Sequence, residues 1–179
     1  MEIERTLRPV RGGGGPFTVK RSYVDGDDHQ VVLLDDKAKR LIELLQIDGR
    51  SSYAALAKEV GLSEAAVRQR VQRLIDQGVM QIVAVTDPLS VGFHRQAMLG
   101  VKAQGDLRKV AEAIAAFQEV DYVVVCAGRY DLLAEVVCEN DSHLLQLLND
   151  EVRLVQGVTD IETFVYLRLE KQSYAWGAR

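Results

Sequence analysis

The sequence predicts an α+β protein, in which three short helices are followed by an antiparallel sheet with two helices on one face. Between Asp35 and Gly78, apolar residues recur at helical spacing, and stop and cap residues separate three segments. After Gly92 the order changes to strand, helix, strand, strand, helix, strand, a βαββαβ succession of the ferredoxin-like type. At 179 residues the chain can hold two small domains, each with its own core.

The first two helices are defined by their apolar faces and their ends. The first begins at Asp35-Asp36, where acids suit the helix dipole, and stops at Asp48-Gly49. Its face consists of residues at i, i+3, i+4 and i+7, namely Ala38, Leu41, Ile42 and Leu45. The second begins near Ser51-Ser52 and ends at Gly61, a residue suited to the left-handed conformation. The residues that it is expected to bury are Leu56, Ala57 and Val60.

The third helix runs from the cap Ser63 to Gln77 and ends before Gly78. With the second helix and the tight turn at Gly61, it forms a helix-turn-helix, in which one helix packs and the next enters the major groove of DNA. Helical geometry gives it a core side made of Val67, Val71 and Leu74. The opposite side carries Ala65, Ala66, Gln69, Gln72 and Arg73. The alternative is an ordinary amphipathic helix with a solvated polar side.

The chemistry of that outward side suits duplex DNA. Gln69 can present a bidentate amide to adenine, and Arg73 a fork to guanine or phosphate. Arg68 and Arg70 lie on the two flanks, where phosphate contacts are expected, and the start of the second helix is expected to add others. The candidate DNA-binding residues are Ser52, Tyr53, Ser63, Ala65, Ala66, Arg68, Gln69, Arg70, Gln72 and Arg73.

The charge distribution is compatible with DNA contact by one part of the chain. The net charge of −4 hides a split, because residues 37–77 carry eight basic and five acidic side chains, whereas residues 90–179 carry nine and thirteen. Residues 1–30 include four consecutive glycines and are predicted to be a flexible arm. Two interpretations, DNA contact or simple solvation, stay open for its basic residues Arg5, Arg8, Arg11, Lys20 and Arg21.

A predicted strand at residues 79–85, broken by Asp87-Pro88, links the two domains. The expected divisions are an arm (1–30), a winged-helix-like helix-turn-helix domain (31–78), a strand linker (79–92) and a ferredoxin-like domain (93–179). In the last, strands are predicted at 96–103, 120–127, 132–137 and 160–169, and helices at 107–117 and 141–150. One face of such a sheet is left open, so we expect a dimer through this domain.

The two cysteines are predicted to lie on the strands of a hairpin whose turn is near Gly128–Asp131. In the predicted register Cys126 faces Leu133, and Cys138 lies about 16 Å further along, beyond the reach of a disulfide. Both are therefore expected to be reduced, buried thiols.

Residues spread over most of the chain resemble the Lrp/AsnC family of feast/famine transcriptional regulators. In the first domain these are Asp36 to Ile42, Leu56-Ala57, Val60-Gly61-Leu62-Ser63, Val67, Arg70, Arg73-Leu74, Gly78-Val79 and Asp87-Pro88 with Gly92. In the second they are Gly128-Arg129-Tyr130-Asp131, Gly157-Val158, Thr163 and Glu170-Lys171-Gln172-Ser173. The resemblance covers about residues 35–173, in the order typical of the family, and the N-terminal extension of roughly 30 residues departs from it.

The resemblance implies a transcription regulator that dimerises through its C-terminal sheets and often assembles into octamers or similar rings. Two reading helices held apart by such a dimer can recognise a palindromic duplex operator. It also implies an amino acid or related metabolite as effector. The implied effector residues are Gly128, Arg129, Tyr130 and Asp131, with Thr159, Asp160 and Glu162 as weaker candidates. Gly128 could offer its N–H to a carboxylate, Asp131 could pair with an α-ammonium, and Tyr130 could supply a wall and a hydroxyl. The alternative is a plain hairpin turn, with Gly128 at positive φ and Asp131 bonded to its own backbone.

Other classes of function find little support in the sequence. It has no P-loop, dinucleotide fingerprint or nucleophile elbow, and no cofactor is expected. Neither a secretory signal nor a membrane-spanning run is predicted, so a cytoplasmic location is expected. The spacing of His29, His94 and His143 does not predict a metal site.

Two alternatives to a metabolite-responsive regulator stay open. One is an enzyme related to the sirohaem decarboxylases, in which substrate carboxylates would be held by His94, Arg95, Arg129 and His143. The other is an interaction module with a vestigial helix-turn-helix, against which the outward Arg and Gln side chains argue.

Overall fold

The computed structural model describes residues 32–178, which form two compact units. One holds the described residues up to Ile42 together with residues 52–80, and the other holds residues 43–51 together with the chain from Gln81 onwards. The predicted arm, with its five basic residues and His29, lies outside the described residues. None of the described helices combines the length and the apolar character that crossing a bilayer requires.

The first part of the chain forms three helices, as the sequence predicts. They are α1 (Asp36–Ile47), α2 (Tyr53–Val60) and α3 (Glu64–Asp76). Their buried residues are Ala38, Leu41, Ile42, Leu45, Leu56, Ala57, Val67, Val71 and Leu74. Val60, also predicted to be buried, is only half-buried, because it sits in the last turn of α2. Gly61 has a φ of 64°, the left-handed conformation that ends α2 without strain.

The prediction of a strand at residues 79–85 is wrong. These residues have no regular secondary structure, and Val83 and Val85 are 62% and 61% exposed. A strand needs a neighbour for its backbone amides, and none of the described strands pairs with this segment. A short 3₁₀ turn, Leu89–Val91, follows and is closed by Gly92 at a φ of 98°.

The rest of the chain has the predicted βαββαβ order. The elements are β1 (Arg95–Ala103), α4 (Leu107–Ile114), β2 (Val120–Val125), β3 (Leu132–Cys138), α5 (Asp141–Gln146) and β4 (Val158–Val165). The four strands form one sheet in the order β2-β3-β1-β4, with every neighbouring pair antiparallel. This is the ferredoxin-like fold, in which the first and third strands occupy the middle of the sheet.

Several element ends differ from the prediction. Helix α4 ends at Ile114 rather than 117, and α5 passes after Gln146 into a π turn, Leu147–Glu151, and then a 3₁₀ turn, Val152–Leu154. Strand β4 covers Val158–Val165 rather than 160–169, and β2 stops at Val125. Helical periodicity continues through such turns, so a sequence pattern marks a helical region better than its end.

The helices cover one face of the sheet and leave the other open. The covered face buries Ala97, Leu99, Val101, Leu132, Ala134 and Val136 against Val110, Ile114, Leu144 and Leu147. On the open face, Met98 of β1 lies opposite Glu135 of β3 and Phe164 of β4. Tyr122 and Phe164 on this face are 49% and 44% exposed. A protomer by itself therefore presents aromatic surface to water.

The register of the β2–β3 hairpin differs from the predicted one. Val125 pairs with Leu132, and the Cys126 N–H donates to the Asp131 carbonyl at 2.9 Å, so Cys126 faces Asp131 and not Leu133. Both cysteines are free, as predicted, but only Cys138 is fully buried and Cys126 is half-buried. Desolvation, together with the nearby Glu119 carboxylate, raises the pKa of the Cys138 thiol to about 11, so it is unreactive at neutral pH.

Candidate DNA-binding and effector sites

Helix α3 is fixed at its start and along its inner side. The Ser63 hydroxyl accepts the Ala66 N–H at 3.2 Å, which caps the helix. Ser52 caps α2 in the same way, accepting the Ala55 N–H at 3.2 Å. Both serines were predicted as DNA-binding residues, and the structure uses the acceptor side of each hydroxyl locally. What stays open to solvent is the outward side of α3.

The outward side of α3 forms one shallow surface. Its residues are Ala65, Arg68, Gln69, Gln72, Arg73 and Asp76. Five of these are predicted DNA-binding residues, and Asp76 is an acidic neighbour that the sequence interpretation missed. The Gln72 amide donates to the Asp76 carboxylate at 2.8 Å. The i, i+4 spacing of Gln72 and Asp76 could have revealed this pair. Ala66, also predicted, is half-buried.

Gln69 and Arg73 are the polar side chains of this surface that are free to bind a partner. Both are exposed, and neither has a side-chain hydrogen bond or ion pair with any other described residue. An amide and a guanidinium on adjacent turns can form the bidentate contacts by which proteins identify adenine and guanine.

The two flanking arginines, predicted to be equivalent, have different partners. Arg70 Nη1 donates to Asp35 Oδ2 at 2.7 Å, and the other oxygen of Asp35 accepts the Ala38 N–H at 2.7 Å. The Ala38 N–H, and after it Arg70, lowers the pKa of the Asp35 carboxyl below its usual value. Arg70 therefore connects α3 to the N-cap of α1.

Arg68, on the other flank, is held within the helix-turn-helix. Its Nη2 donates to Glu64 Oε1 at 3.1 Å, and its guanidinium carbon lies 4.8 Å from the centre of the Tyr53 ring. Tyr53, predicted to contact phosphate, is thus also a support for Arg68.

The loop between β2 and β3 is fastened to β1 by Asp131. One carboxylate oxygen of Asp131 accepts the Ala103 N–H at 2.9 Å, and its backbone N–H donates to the Val101 carbonyl at 2.9 Å. The carboxylate predicted to meet an α-ammonium group therefore already binds backbone. The plain-turn alternative also fails in part, because Gly128 does not have a positive φ.

Tyr130 packs onto the open face of the sheet. Its ring lies across Gly100, where an added Cβ would be 2.7 Å from Tyr130 Cδ2, and it meets the Phe164 ring edge-on at 6.1 Å. The Tyr130 hydroxyl is buried and has no hydrogen-bond partner among the described residues. The predicted ligand wall is thus part of the sheet surface.

Arg129 and Glu162 are brought together from the loop and from β4. Arg129 Nη2 lies 3.3 Å from Glu162 Oε2, and its guanidinium carbon lies 5.4 Å from the centre of the Tyr130 ring. The Arg129 side chain is 75% exposed, so it can exchange partners with a ligand. Thr159 and Asp160 are the two other candidates. The Thr159 hydroxyl donates to the Lys102 carbonyl at 3.1 Å, and Asp160 is exposed.

Three of the four side chains that the enzyme alternative requires, those of Arg95, Arg129 and His143, have separate partners. Arg95 forms a two-point ion pair with Asp141, and His143 Nε2 lies 3.0 Å from Glu119 Oε1. Arg129 pairs with Glu162, as described above. Among residues 32–178, no group of three or more His, Cys, Asp or Glu side chains is arranged to hold a metal ion.

A helix-turn-helix followed by a ferredoxin-like domain defines a class of transcriptional regulator, and comparison with known proteins agrees. Residues 34–75 match the AsnC-type helix-turn-helix domain, and residues 96–176 match the Lrp/AsnC ligand binding domain. The chain belongs to the Lrp/AsnC family.

The relatives are named as regulators, and the chain matches nearly their whole length. An uncharacterised HTH-type transcriptional regulator of Pyrococcus furiosus is 30% identical over 145 residues, which are 80% of this chain and 98% of that protein. The HTH-type transcriptional regulator LysM of Sulfurisphaera tokodaii is 29% identical over 136 residues, 76% of this chain and 96% of the relative. The chain is therefore a regulator and not an enzyme, and nothing in these comparisons supports a sirohaem decarboxylase.

Solved structures share the fold. The leucine response regulatory protein LrpA of Mycobacterium tuberculosis is 27% identical, with a TM-score of 0.71 over 78% of this chain and 96% of that one. A transcriptional regulator of Neisseria meningitidis, solved as a complex with L-Met, has a TM-score of 0.72 over 80% of this chain and 96% of that one, at 23% identity.

Proposed function

We propose that the chain binds a palindromic duplex operator through α3 of two protomers, and that an amino acid or related metabolite bound to the C-terminal domain controls this binding. The observation that carries the proposal is the exposed, unpartnered pair Gln69 and Arg73 on the outward side of a capped helix. Binding to chromosomal DNA implies work in the cytoplasm.

The DNA-binding part of the proposal is tested by replacing the two free side chains. Gln69→Ala and Arg73→Ala should each lower affinity for a selected operator by about tenfold or more, because a bidentate base contact contributes about 1–3 kcal/mol of discrimination. Fluorescence anisotropy at fixed salt measures the affinity, and light scattering checks that the assembly size is unchanged. Arg108→Ala, at an exposed position on α4, is the control. Undiminished operator binding by both α3 variants would move the reading surface elsewhere.

The assembly proposed here is a homodimer through the open face of the sheet, with a higher oligomer such as an octamer built from it. Exposed aromatic side chains at Tyr122 and Phe164 support this, because apolar surface on a sheet face is removed from water when a second copy covers it. Two reading helices carried by one dimer can then contact two half-sites.

The effector site proposed here lies at the loop between β2 and β3. Its ligand class is supported by the matched ligand binding domain and by L-Met in the Neisseria meningitidis relative. Arg129 is the best placed residue, because it is exposed and its partner Glu162 is a carboxylate that the α-carboxylate of an amino acid can replace. Gly128 and Asp160, both exposed, are close in sequence to this pair and complete the proposed site.

A thermal-shift screen of the amino acids and related metabolites tests this site. A ligand that binds only the folded chain raises the melting temperature, and the stabilisation grows with the logarithm of one plus the ratio of ligand concentration to Kd. Arg129→Gln should abolish the shift given by any hit, whereas Arg153→Gln, an exposed arginine elsewhere in the same domain, should retain it. A hit whose shift survives Arg129→Gln would place the pocket away from this loop.

A further inference from the structure

We propose that Arg68 reads a guanine base, and that Glu64 and Tyr53 hold its guanidinium in position to do so. The inference rests on the proposed recognition of DNA by α3 and adds a specificity-determining residue to that surface. It replaces the phosphate contact expected of Arg68 from its position on the flank of the helix.

Two contacts from different helices hold the guanidinium of Arg68. Glu64, in the first turn of α3, accepts a hydrogen bond from Nη2 at 3.1 Å. Tyr53, in the first turn of α2, places its ring 4.8 Å from the guanidinium carbon. An arginine that already has two contacts restricting its side chain loses less conformational freedom when it forms a two-point contact, so this arrangement favours a directional partner.

Arg68 lies on the same surface as the free side chains of α3. Ala65, Gln69 and Arg73 line that surface with it. At about 100° per residue, Arg68 lies about 60° from Ala65, and Arg73 about 80° from Ala65 on the other side. Arg68 is thus no further from the middle of the surface than Arg73. Because Ala65 is small, both arginines can reach beyond it into a groove.

The negative charge of Glu64 favours a contact of Arg68 with a base over a contact with a phosphate. A carboxylate beside Arg68 lowers the attraction of the pair for an anionic phosphate. The major-groove edge of guanine offers O6 and N7, which are neutral acceptors, so the carboxylate can orient Arg68 with little repulsion. Arg70 differs in kind, since its carboxylate partner Asp35 precedes α1 and the pair connects two helices.

Selection of preferred operators from a random duplex library tests the inference with the full chain. Arg68→Lys keeps the positive charge but cannot form the fork, so it should lose about tenfold or more of its discrimination at one G·C pair per half-site while non-specific affinity is retained. Glu64→Gln should weaken preference at the same pair and raise non-specific affinity, because it removes a negative charge. Arg108→Lys, on α4, is the matched control and should leave the selected sequence unchanged.

Distinct results would overturn this inference and the proposed function. If Arg68→Lys selects the parental sequence at every position while Arg68→Ala weakens all duplexes alike and lowers the salt slope by about one, Arg68 is a phosphate contact and only the inference fails. If Glu64→Gln leaves the preference unchanged, Glu64 does not position Arg68. A parental chain that binds all duplexes alike would overturn the proposed recognition itself, and the inference with it.

Discussion

Two aspartates show how single side chains in this protein are used to hold backbone. The Asp35 carboxylate accepts the Ala38 N–H in the first turn of α1 and a hydrogen bond from Arg70 of α3, and the Asp131 carboxylate accepts the Ala103 N–H at the end of β1. Asp35 thereby links α1 to α3, and Asp131 links the loop between β2 and β3 to β1. Leaving a buried backbone N–H without an acceptor costs about 1–3 kcal/mol, and a nearby carboxylate avoids this cost by accepting the hydrogen bond.

A prediction at the residue scale concerns Gly100, across which the Tyr130 ring lies. Gly100→Ala places a Cβ 2.7 Å from Tyr130 Cδ2, so the ring must move. We expect a loss of about 1–3 kcal/mol in the free energy of unfolding, measured by urea denaturation. The loss should be smaller in a Tyr130→Ala background, where the obstructing ring is gone.

Gly128→Ala is the control for this substitution. An added Cβ at residue 128 meets nothing within 4 Å, and the residue does not have a positive φ. Its stability should stay near that of the parent. Equal losses at both glycines would show that the ring contact at Gly100 is not the cause.

At the scale of elements, local patterns predicted what depends on local contacts. The caps at Ser52 and Ser63 and the left-handed Gly61 are properties of a few adjacent residues, and the structure has all of them. The segment at 79–85 has the apolar composition of a strand, but a strand also depends on a neighbour, which a pattern cannot supply. The same reason explains the two-residue error in the β2–β3 register, since the loop length is set by Asp131 bonding across to β1.

A prediction at the element scale concerns Asp121, in β2. Desolvation, and after it the charge of Glu135 on β3, raises the pKa of the Asp121 carboxyl above its usual value. An acid whose pKa is raised on folding costs stability when ionised, and this cost disappears as pH falls through the raised pKa. Because Asp121 is also exposed to solvent, which screens this cost, Asp121→Asn should melt only slightly higher than the parent at pH 7, with a difference that shrinks as the pH falls.

Asp150→Asn is the matched control, since it replaces another exposed aspartate that lies in the π turn and outside the sheet. A constant difference between Asp121→Asn and the parent across this pH range would show that ionisation of Asp121 is not what costs stability.

At the scale of the whole molecule, the open face of the sheet is an apolar surface that the described residues of one chain leave uncovered. The βαββαβ order alone predicts such a face, because both helices must pack on the other side. What covers this face could not be predicted from periodicity. The contacts of Arg68 with Tyr53 and of Arg70 with Asp35 could not be predicted either, because they depend on how α3 meets two other helices. The free side chains Gln69 and Arg73 were predictable, since exposure follows from helical phase.

The prediction at this scale is that a charge on the open face reduces association. Phe164→Asp places a carboxylate where Phe164 is 44% exposed. We expect sedimentation velocity to show a shift towards monomer of at least tenfold in the dissociation constant. Leu145→Asp, on α5 where the side chain is 59% exposed, is the matched control and should sediment like the parent. Unaltered sedimentation of Phe164→Asp would mean that the assembly uses another surface.

The segment that follows α3 has a further consequence for how operators are recognised. Residues 81–87 are free of regular structure, and at about 3.3 Å per residue an extended segment of this length reaches roughly 23 Å. In the proposed dimer, such a tether would set the effective concentration of the second α3 once the first has bound its half-site. The length and stiffness of the segment, together with the base contacts of α3, would then determine how strongly binding of one half-site promotes binding of the other.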